Sequence, residues 1–384
     1  MRLLVFLSVF LTLYGLLHFY AFLKVTRAFA LSRGVSVFLV CVMLFMVFCP
    51  VIVRVLERVG METLPRFLAY TGYTWMGFLL VFVCCYFLID FFRLLGFVGT
   101  HFLKMNLENW ILSQRTVFFI ALTVSSLVTM YGHLEALTIR TERITIRTPK
   151  IPKELGRLRI VQISDVHLGL IVRGCRLEKI LREVRAARPD ILVSTGDLLD
   201  GQINDVSNTI NSFRLINAPY GKFAVTGNHE FYAGLERSLN FMKEVGFTVL
   251  RGETRDVRGV VLVAGVDDQT ANRFGLSKGV TEAELLSNLP GDRFVLLLKH
   301  RPLVDQGSDG LFDLQLSGHT HGGQIFPFSL IIKMLYPVDA GLLALNNGAL
   351  LYVSPGSGTW GPPMRFLAPP EVTVIDLIHG EKPE

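Results

Sequence analysis

Five short polar motifs occur in order along this chain, and each closes an apolar run. They are Asp165-Val166-His167, Gly196-Asp197-Leu198-Leu199-Asp200, Gly227-Asn228-His229-Glu230, Lys299-His300 and Gly318-His319-Thr320-His321. All of them supply carboxylate, amide or imidazole groups, the donors that suit zinc, manganese or iron. Five of the nine histidines of the chain lie in them. Such a set can hold two divalent cations a few ångströms apart, roughly 3.5–4 Å in two-metal sites. The cations repel unless an anion bridges them, and a carboxylate or a hydroxide can do so. A hydroxide shared in this way is acidified and can attack phosphorus at neutral pH, while the cations neutralise the phosphoryl oxygens. A nearby histidine can then protonate the leaving alkoxide.

Strands must carry these motifs to one place. Arg159–Ser164, Ile191–Thr195, Lys222–Thr226, Val260–Ala264, Phe294–Leu298 and Leu314–Ser317 read as strands, and Leu350–Ser354 and Val372–Leu377 follow in the tail. An amphipathic helix from about Cys175 to Arg188 links the first two strands, a crossover that marks a parallel sheet. Asp165, Asp197, Asn228, His300 and His319 then fall at or just past strand C-terminal ends, where open α/β sheets bind ligands. Glycines at 196, 227 and 318 stand where strand must turn sharply into loop beside the site.

Taken one at a time, each motif residue is as easily a satisfied polar group at a strand end. As a set they are not, because a buried polar cluster of this size needs partners.

The first third of the chain differs in kind. Apolar runs near 3–23, 35–53, 69–92 and 116–134 are each long enough for a ~30 Å hydrocarbon core. The first is longer than the apolar region of a signal peptide and no small-residue cleavage site follows it, so it reads as an anchor. Tyr70, Tyr73, Trp75 and Tyr131 fall near the run ends, where amphipathic rings favour the membrane interface. Alternation resumes afterwards: 137–141 and 143–147 read as two strands, and a Pro-containing linker follows. The boundaries expected are therefore a four-helix transmembrane region over 1–137, a strand pair and linker over 138–156, and an α/β domain over 157–384.

Charge agrees with this division. Residues 1–133 carry 10 Lys and Arg against 4 acidic residues, and the rest of the chain carries 28 of each. The polar domain has no basic excess, which argues against nucleic acid as partner and for charge placed at membrane surfaces. Four spans put both chain ends on one side. That side carries Arg2, Arg54, Arg58, Arg66, Arg140, Arg143, Arg147 and Lys150, against Lys24, Arg27, Arg33, Arg93, Lys104 and Arg115 opposite. The excess leans toward a cytoplasmic C-terminal domain of a multi-pass protein of the cell (inner) membrane. Cys41, Cys49, Cys84 and Cys85 lie within the apolar runs, and Cys175 is alone in the polar domain, so no disulfide forms within it.

The five motifs together resemble the calcineurin-like metallophosphoesterase family, whose pattern is D-x-H, G-D-x-x-[DE], G-N-H-[DE], a lone His and G-H-x-H. The chain matches every element, over roughly residues 157–377. The resemblance implies an αββα sandwich of two sheets flanked by helices and holding two divalent metals: manganese, iron or zinc, with manganese favoured. It also implies that Asp165, His167, Asp197 and His321 hold the first metal. Asp197, Asn228, His300 and His319 would hold the second, with Asp197 as the bridge. His229 would contact the phosphate and give the proton, oriented by Glu230, while Asp200 acts as a supporting or loop-fixing group.

The apolar run 325–332 directly after the last histidine motif reads as core, or as the lining of an opening for acyl chains. Arg365, in the turn-rich run 355–365, is a candidate for an anionic headgroup. Arg173, Arg176, Lys179, Arg182 and Arg185 read as a solvated helix face, with anionic lipid as the alternative partner. The expected activity is hydrolysis of a phosphodiester, that of a lipid, by an enzyme seated in the bilayer. A pyrophosphatase of the UDP-2,3-diacylglucosamine type, acting on a lipid-nucleotide, is the alternative within the family. A metal-stabilised sensor or binding module without turnover is the alternative outside catalysis.

Overall fold

A computed structural model describes residues 2–103, 112–201 and 206–381. Lys104 and Glu108 of the charge comparison lie outside them. The chain divides into two compact units, Met1–His133 with Gly361–Met364, and Leu134–Trp360 with Arg365–Glu384.

The first unit is built from α1 (Arg2–Ala28), α2 (Arg33–Arg58), α3 (Thr63–Leu103) and α4 (Gln114–Glu135). Each is long and apolar enough to cross a membrane. Their seam is formed by Tyr14, Ala21, Met43, Val47, Leu79, Phe82, Tyr86, Val117 and Ala121, while large apolar residues such as Phe19, Phe38 and Phe87 face outward. A helix set that is apolar within and without is what a bilayer requires. Two expectations change here. Trp75 lies inside α3, not at a span end, and its Nε1–H donates to His18 Nε2 (2.8 Å). That leaves His18 Nδ1–H to donate to the carbonyl of Tyr14 (2.8 Å). Lys24, counted above as a loop charge, is buried in α1 and pairs with Asp90. Asp90 also accepts from Tyr20 Oη (2.7 Å). Charges in an apolar bundle persist when paired in this way.

The second unit begins with β1 (Arg140–Thr148), β2 (Arg157–Ile163), α5 (Cys175–Ala187), β3 (Ile191–Ser194), α6 (Val206–Arg214), β4 (Lys222–Ala224), α7 (Asn228–Tyr232), α8 (Leu235–Glu244) and β5 (Thr248–Val249). It continues with β6 (Glu253–Val257), β7 (Val261–Gly265), α9 (Thr270–Phe274), α10 (Glu282–Leu286), β8 (Phe294–Leu298), β9 (Leu314–Ser317), α11 (Phe328–Leu335), β10 (Gly341–Ala344), β11 (Leu350–Val353) and β12 (Glu371–His379). Two six-stranded sheets result, ordered β1-β12-β2-β3-β4-β5 and β10-β11-β9-β8-β7-β6. Strands β2 to β5 run parallel, as do β7, β8, β9 and β11.

The sheets share one apolar core, with Ile160, Val193 and Ile375 from the first and Val263, Leu296 and Leu316 from the second. Helix α5 buries Leu177, Ile180, Leu181, Val184 and Ala187 along one stripe. On its polar face Arg185 pairs with Glu178, and Arg182 with Glu183, the solvated arrangement expected of that basic run. This is the two-sheet α/β sandwich anticipated from the motifs.

The expected strand pair over 137–147 is instead a single strand, β1, lying parallel to β12. The amides of Leu137 and Thr138 donate to the carbonyls of Leu134 and Glu135. They finish α4 by satisfying its orphan carbonyls and are therefore not free to join a ladder. Strands β5, β6 and β10 were not legible in the sequence. β5 has two residues, and β6 and β10 lie at the far edge positions, with little buried alternation.

Candidate metal centre

The candidate ligands gather at one rim, beyond the C-terminal ends of β2, β3, β4, β8 and β9. Asp165 and His167 follow β2, Asp197 follows β3, Asn228 and His229 open α7 after β4, His300 follows β8, and His319 and His321 follow β9. Parallel strands of the two sheets ending at the same edge bring His167 and His321, 154 residues apart in the chain, to 3.1 Å.

Three sets of ligand atoms each lie within 4.8 Å of one another: Asp165, His167 and His321; His167, Asp197 and His229; and Asp197, His300 and His319. Asp197 Oδ2 stands between the groups, 3.3 Å from His300 Nε2 and 3.8 Å from His167 Nε2. His321 Nε2 lies 3.4 Å from Asp165 Oδ1. Pairs of imidazole nitrogens face each other at 3.1 Å, His167 Nε2 with His321 Nε2 and His319 Nδ1 with His300 Nε2. Asn228 is buried, and its Oδ1 has no hydrogen-bond partner. An orphaned buried amide oxygen on the residue that opens α7 at this rim is a lone-pair donor without an acceptor, a gap that a cation can fill.

Backbone and side-chain contacts hold this arrangement. His300 Nδ1–H donates to the carbonyl of Thr195 (2.8 Å), which turns Nε2 toward Asp197 Oδ2, 3.3 Å away. A carbonyl fixing the tautomer of a metal-binding imidazole is a common supporting contact. Asp197 Oδ1 accepts from the backbone N–H of His229 (2.8 Å). Asp165 Oδ2 accepts from the Ser164 hydroxyl (2.5 Å) and the His319 amide (3.0 Å). Two glycines are required by approach. A Cβ at Gly227 would stand 2.2 Å from Asp197 Oδ1, and one at Gly318 would stand 2.3 Å from Asp165 Oδ2. Five of the candidate ligands, Asp165, His167, Asp197, His319 and His321, have φ between 50° and 72°. Left-handed backbone outside glycine costs roughly 1–3 kcal/mol per residue and clusters at functional sites. No signal in the sequence announced it.

Electrostatics match a site built for cations. Burial opposes charge on Asp197, yet the imidazoles of His300, His229 and His167 hold its carboxyl well below the usual range. Asp165 goes the other way, raised by burial and then by Asp197. His167 and His319 are pushed down to about 3, chiefly by burial and next by His229 and His300 respectively. His300 is lifted to about 10 against its burial by Asp197, Asp165 and Asp268. Neutral imidazoles and an anionic carboxylate are the forms that bind metal, and the carboxylates that raise His300 make this a place where positive charge is favoured.

The supporting residues are placed differently from expectation. His229 Nδ1 lies 2.7 Å from Asp200 Oδ1, so Asp200, not Glu230, orients this imidazole. The Glu230 carboxylate instead accepts from the amides of Gly227 (2.7 Å), Asp197 (3.0 Å) and Leu199 (3.0 Å). It ties two ligand-bearing loops together. Burial and the nearby Asp197 raise it to about 7.

Arg365 is not available to a headgroup. It is fully buried, and its guanidinium donates to the carbonyls of Gly358, Pro355, His321, Ala368 and Gly356. Those carbonyls consume its donors. The sequence reading also passed over three aromatic neighbours. Tyr232 and Trp360 edge the His229 ring, with centroids 5.4 and 5.5 Å away, and Tyr336 edges His319 at 5.8 Å.

A two-sheet α/β sandwich with Asp, Asn and His side chains that could hold two cations at its strand ends is the arrangement of a binuclear metallohydrolase. The calcineurin-like phosphoesterase family model matches residues 158–323. An uncharacterised metallophosphoesterase of Aquifex aeolicus is 41% identical over 255 residues, 66% of this chain and 97% of that one. One from Campylobacter jejuni is 33% identical over 328 residues, covering 82% and 84%. A zebrafish (Danio rerio) transmembrane protein with metallophosphoesterase domain is 28% identical over 334 residues, covering 82% and 75%. The chain belongs to the calcineurin-like metallophosphoesterases.

Proposed function

We propose that this protein is a membrane-anchored, two-metal phosphoesterase that hydrolyses a phosphodiester of a lipid. The observation that supports it most is the position of Asp197 Oδ2, 3.3 Å from His300 Nε2 and 3.8 Å from His167 Nε2, where one carboxylate oxygen serves two ligand groups. In this reading Asp165, His167, Asp197 and His321 hold one cation, and Asp197, Asn228, His300 and His319 hold the other. The metals, manganese first among them, supply Lewis acidity that neutralises phosphoryl oxygens and makes water acidic enough to act at neutral pH. His229 faces the substrate phosphate and gives its proton to the leaving alkoxide oxygen, with Asp200, 2.7 Å from its Nδ1, setting the ring orientation. Glu230 keeps the Asp197 and Asn228 loops in register. A lipid substrate fits a chain carrying four helices able to cross a membrane. The Lys and Arg asymmetry about those helices supports a catalytic unit on the cytoplasmic face.

The test is hydrolysis of bis(p-nitrophenyl) phosphate by the detergent-solubilised full chain, stripped of metal and then given manganese. Turnover restored by manganese is expected. A chain that binds two equivalents of metal yet cleaves no phosphate ester with any first-row ion overturns the enzyme reading in favour of a structural or sensory site.

Within an active protein, His229→Asn is expected to lower kcat by about 10²–10³ at unchanged metal content. Asp200→Asn is expected to lower it by a smaller factor, about tenfold, since it acts through His229. Equal losses with loss of metal in both variants would place His229 among the ligands instead of at the leaving group.

A further inference from the structure

Helix α11 exposes Phe328, Leu330, Ile331, Met334 and Leu335, and none of its residues is buried. Other helices of the second unit behave otherwise: α5 and α8 each bury a set of residues. Met334 is 84% and Leu335 64% exposed, and Phe326 just before the helix adds to the same surface. An apolar helix that the fold leaves uncovered needs another apolar phase.

Its ends are fixed at the metal centre. Gly323, two residues after His321, lies so close under the helix start that a Cβ there would meet Ser329 N at 2.3 Å. At the other end, Tyr336 edges the His319 ring, and the carbonyl of Asp339 accepts from Thr320 (2.6 Å). The helix therefore leaves from one histidine of the last motif and returns to another.

We propose that α11 docks the second unit on a lipid bilayer, with Leu330, Ile331, Met334 and Leu335 inserted below the headgroups and Lys333 at their level. The occupant is lipid and not a protein partner for three reasons. The surface offers long apolar side chains, with Ser329 and Lys333 as the helix's own polar groups. Lys333 lies 3.6 Å from Asp339 Oδ2, yet its side chain is 60% exposed, and an exposed pair this loose leaves the ammonium able to meet an anionic phosphate at the headgroup level. The same chain carries four helices able to cross a bilayer, so lipid is present wherever the protein is. Only the consequence, delivery of a lipid phosphate to the rim where His319 and His321 stand, rests on the function proposed above.

The test places the photoreactive residue p-benzoylphenylalanine at position 334 of the full chain in nanodiscs of phosphatidylethanolamine and phosphatidylglycerol. Position 38, exposed on α2, is the lipid-facing control. Position 215, an isolated exposed leucine of the second unit, is the solvent control. Insertion of an interfacial helix ~5–10 Å into the headgroup and acyl boundary should yield about tenfold more lipid adduct at 334 than at 215. Adducts to a second copy of the chain at 334, or a yield equal to that at 215 while 38 labels normally, overturn the proposal. Hydrolysis of bis(p-nitrophenyl) phosphate by the same samples separates the two readings. Lipid adduct without turnover removes the enzyme and keeps the docking helix; turnover without adduct does the reverse.

Discussion

If Asp197 bridges two cations as proposed, Asp197→Asn is expected to lower kcat for phosphate-ester hydrolysis by at least about 10³-fold, because it removes the charge that both candidate ligand groups would share. The substitution is nearly isosteric. Its Oδ1 can still accept the His229 amide hydrogen now bound at 2.8 Å, so the loop keeps its support and the unit still folds. The neutral amide, however, cannot offset repulsion between two cations. Metal content should therefore fall from two equivalents toward one, read by elemental analysis alongside turnover. Two equivalents and activity within tenfold of the unsubstituted protein would show that Asp197 does not bridge.

The second large effect falls on stability. Arg365→Met keeps an unbranched stem but removes the guanidinium, and with it every donor, from a cage of backbone carbonyls. Gly358 accepts at 2.7 and 2.9 Å, Pro355 at 2.7 Å and Ala368 at 3.1 Å. Each carbonyl left buried and unpaired costs about 1–3 kcal/mol, so the total is of order 4 kcal/mol or more. For a unit of this size that corresponds to a fall of roughly 8–16 °C in the melting midpoint. Burial pulls the guanidinium down to about 10, with Asp165 acting against that pull, so it remains charged at neutral pH.

The damage should reach the site as well. The Ser357 and Gly358 amides donate to the carbonyls of Ser164 and Asp165 (2.7 and 3.1 Å), so this loop braces the first ligand. Arg365→Lys, with three donors, should fall between the two. A methionine variant melting within about 2 °C of the unsubstituted protein would mean that the cage is dispensable.

These two residues also show what could be read from the chain and what could not. Asp197 was legible because its context is local. An apolar run of β-branched and leucine residues ends in Gly196, and a strand closing in glycine and aspartate puts the carboxylate at the sheet rim whatever the rest of the fold does. The same holds for Asp165, Asn228, His300 and His319. Arg365 was not legible, because an arginine in a turn-rich segment looks the same whether it faces solvent or is caged by carbonyls. Asp200 and Glu230 are a parallel case. Each follows a ligand closely, and sequence spacing alone cannot say which carboxylate meets His229. The path of the loop after β3 carries Asp200 to that ring, while α7 turns Glu230 back onto the amides of Gly227, Asp197 and Leu199.

Sequence by itself determined the division into an apolar helical region and an α/β region, the ligand types, and their order along the strands. Hydrophobic period and donor chemistry are properties of short stretches, so they survive without knowledge of distant contacts. Tertiary structure alone decided the rest. It ended α4 with residues that had looked like strand, set Lys24 against Asp90, assigned Asp200 to His229, sealed Arg365 inside the second unit, and left α11 uncovered. Each of these depends on groups far apart in the chain competing for the same hydrogen bonds or the same buried volume, and only the packed molecule resolves that competition.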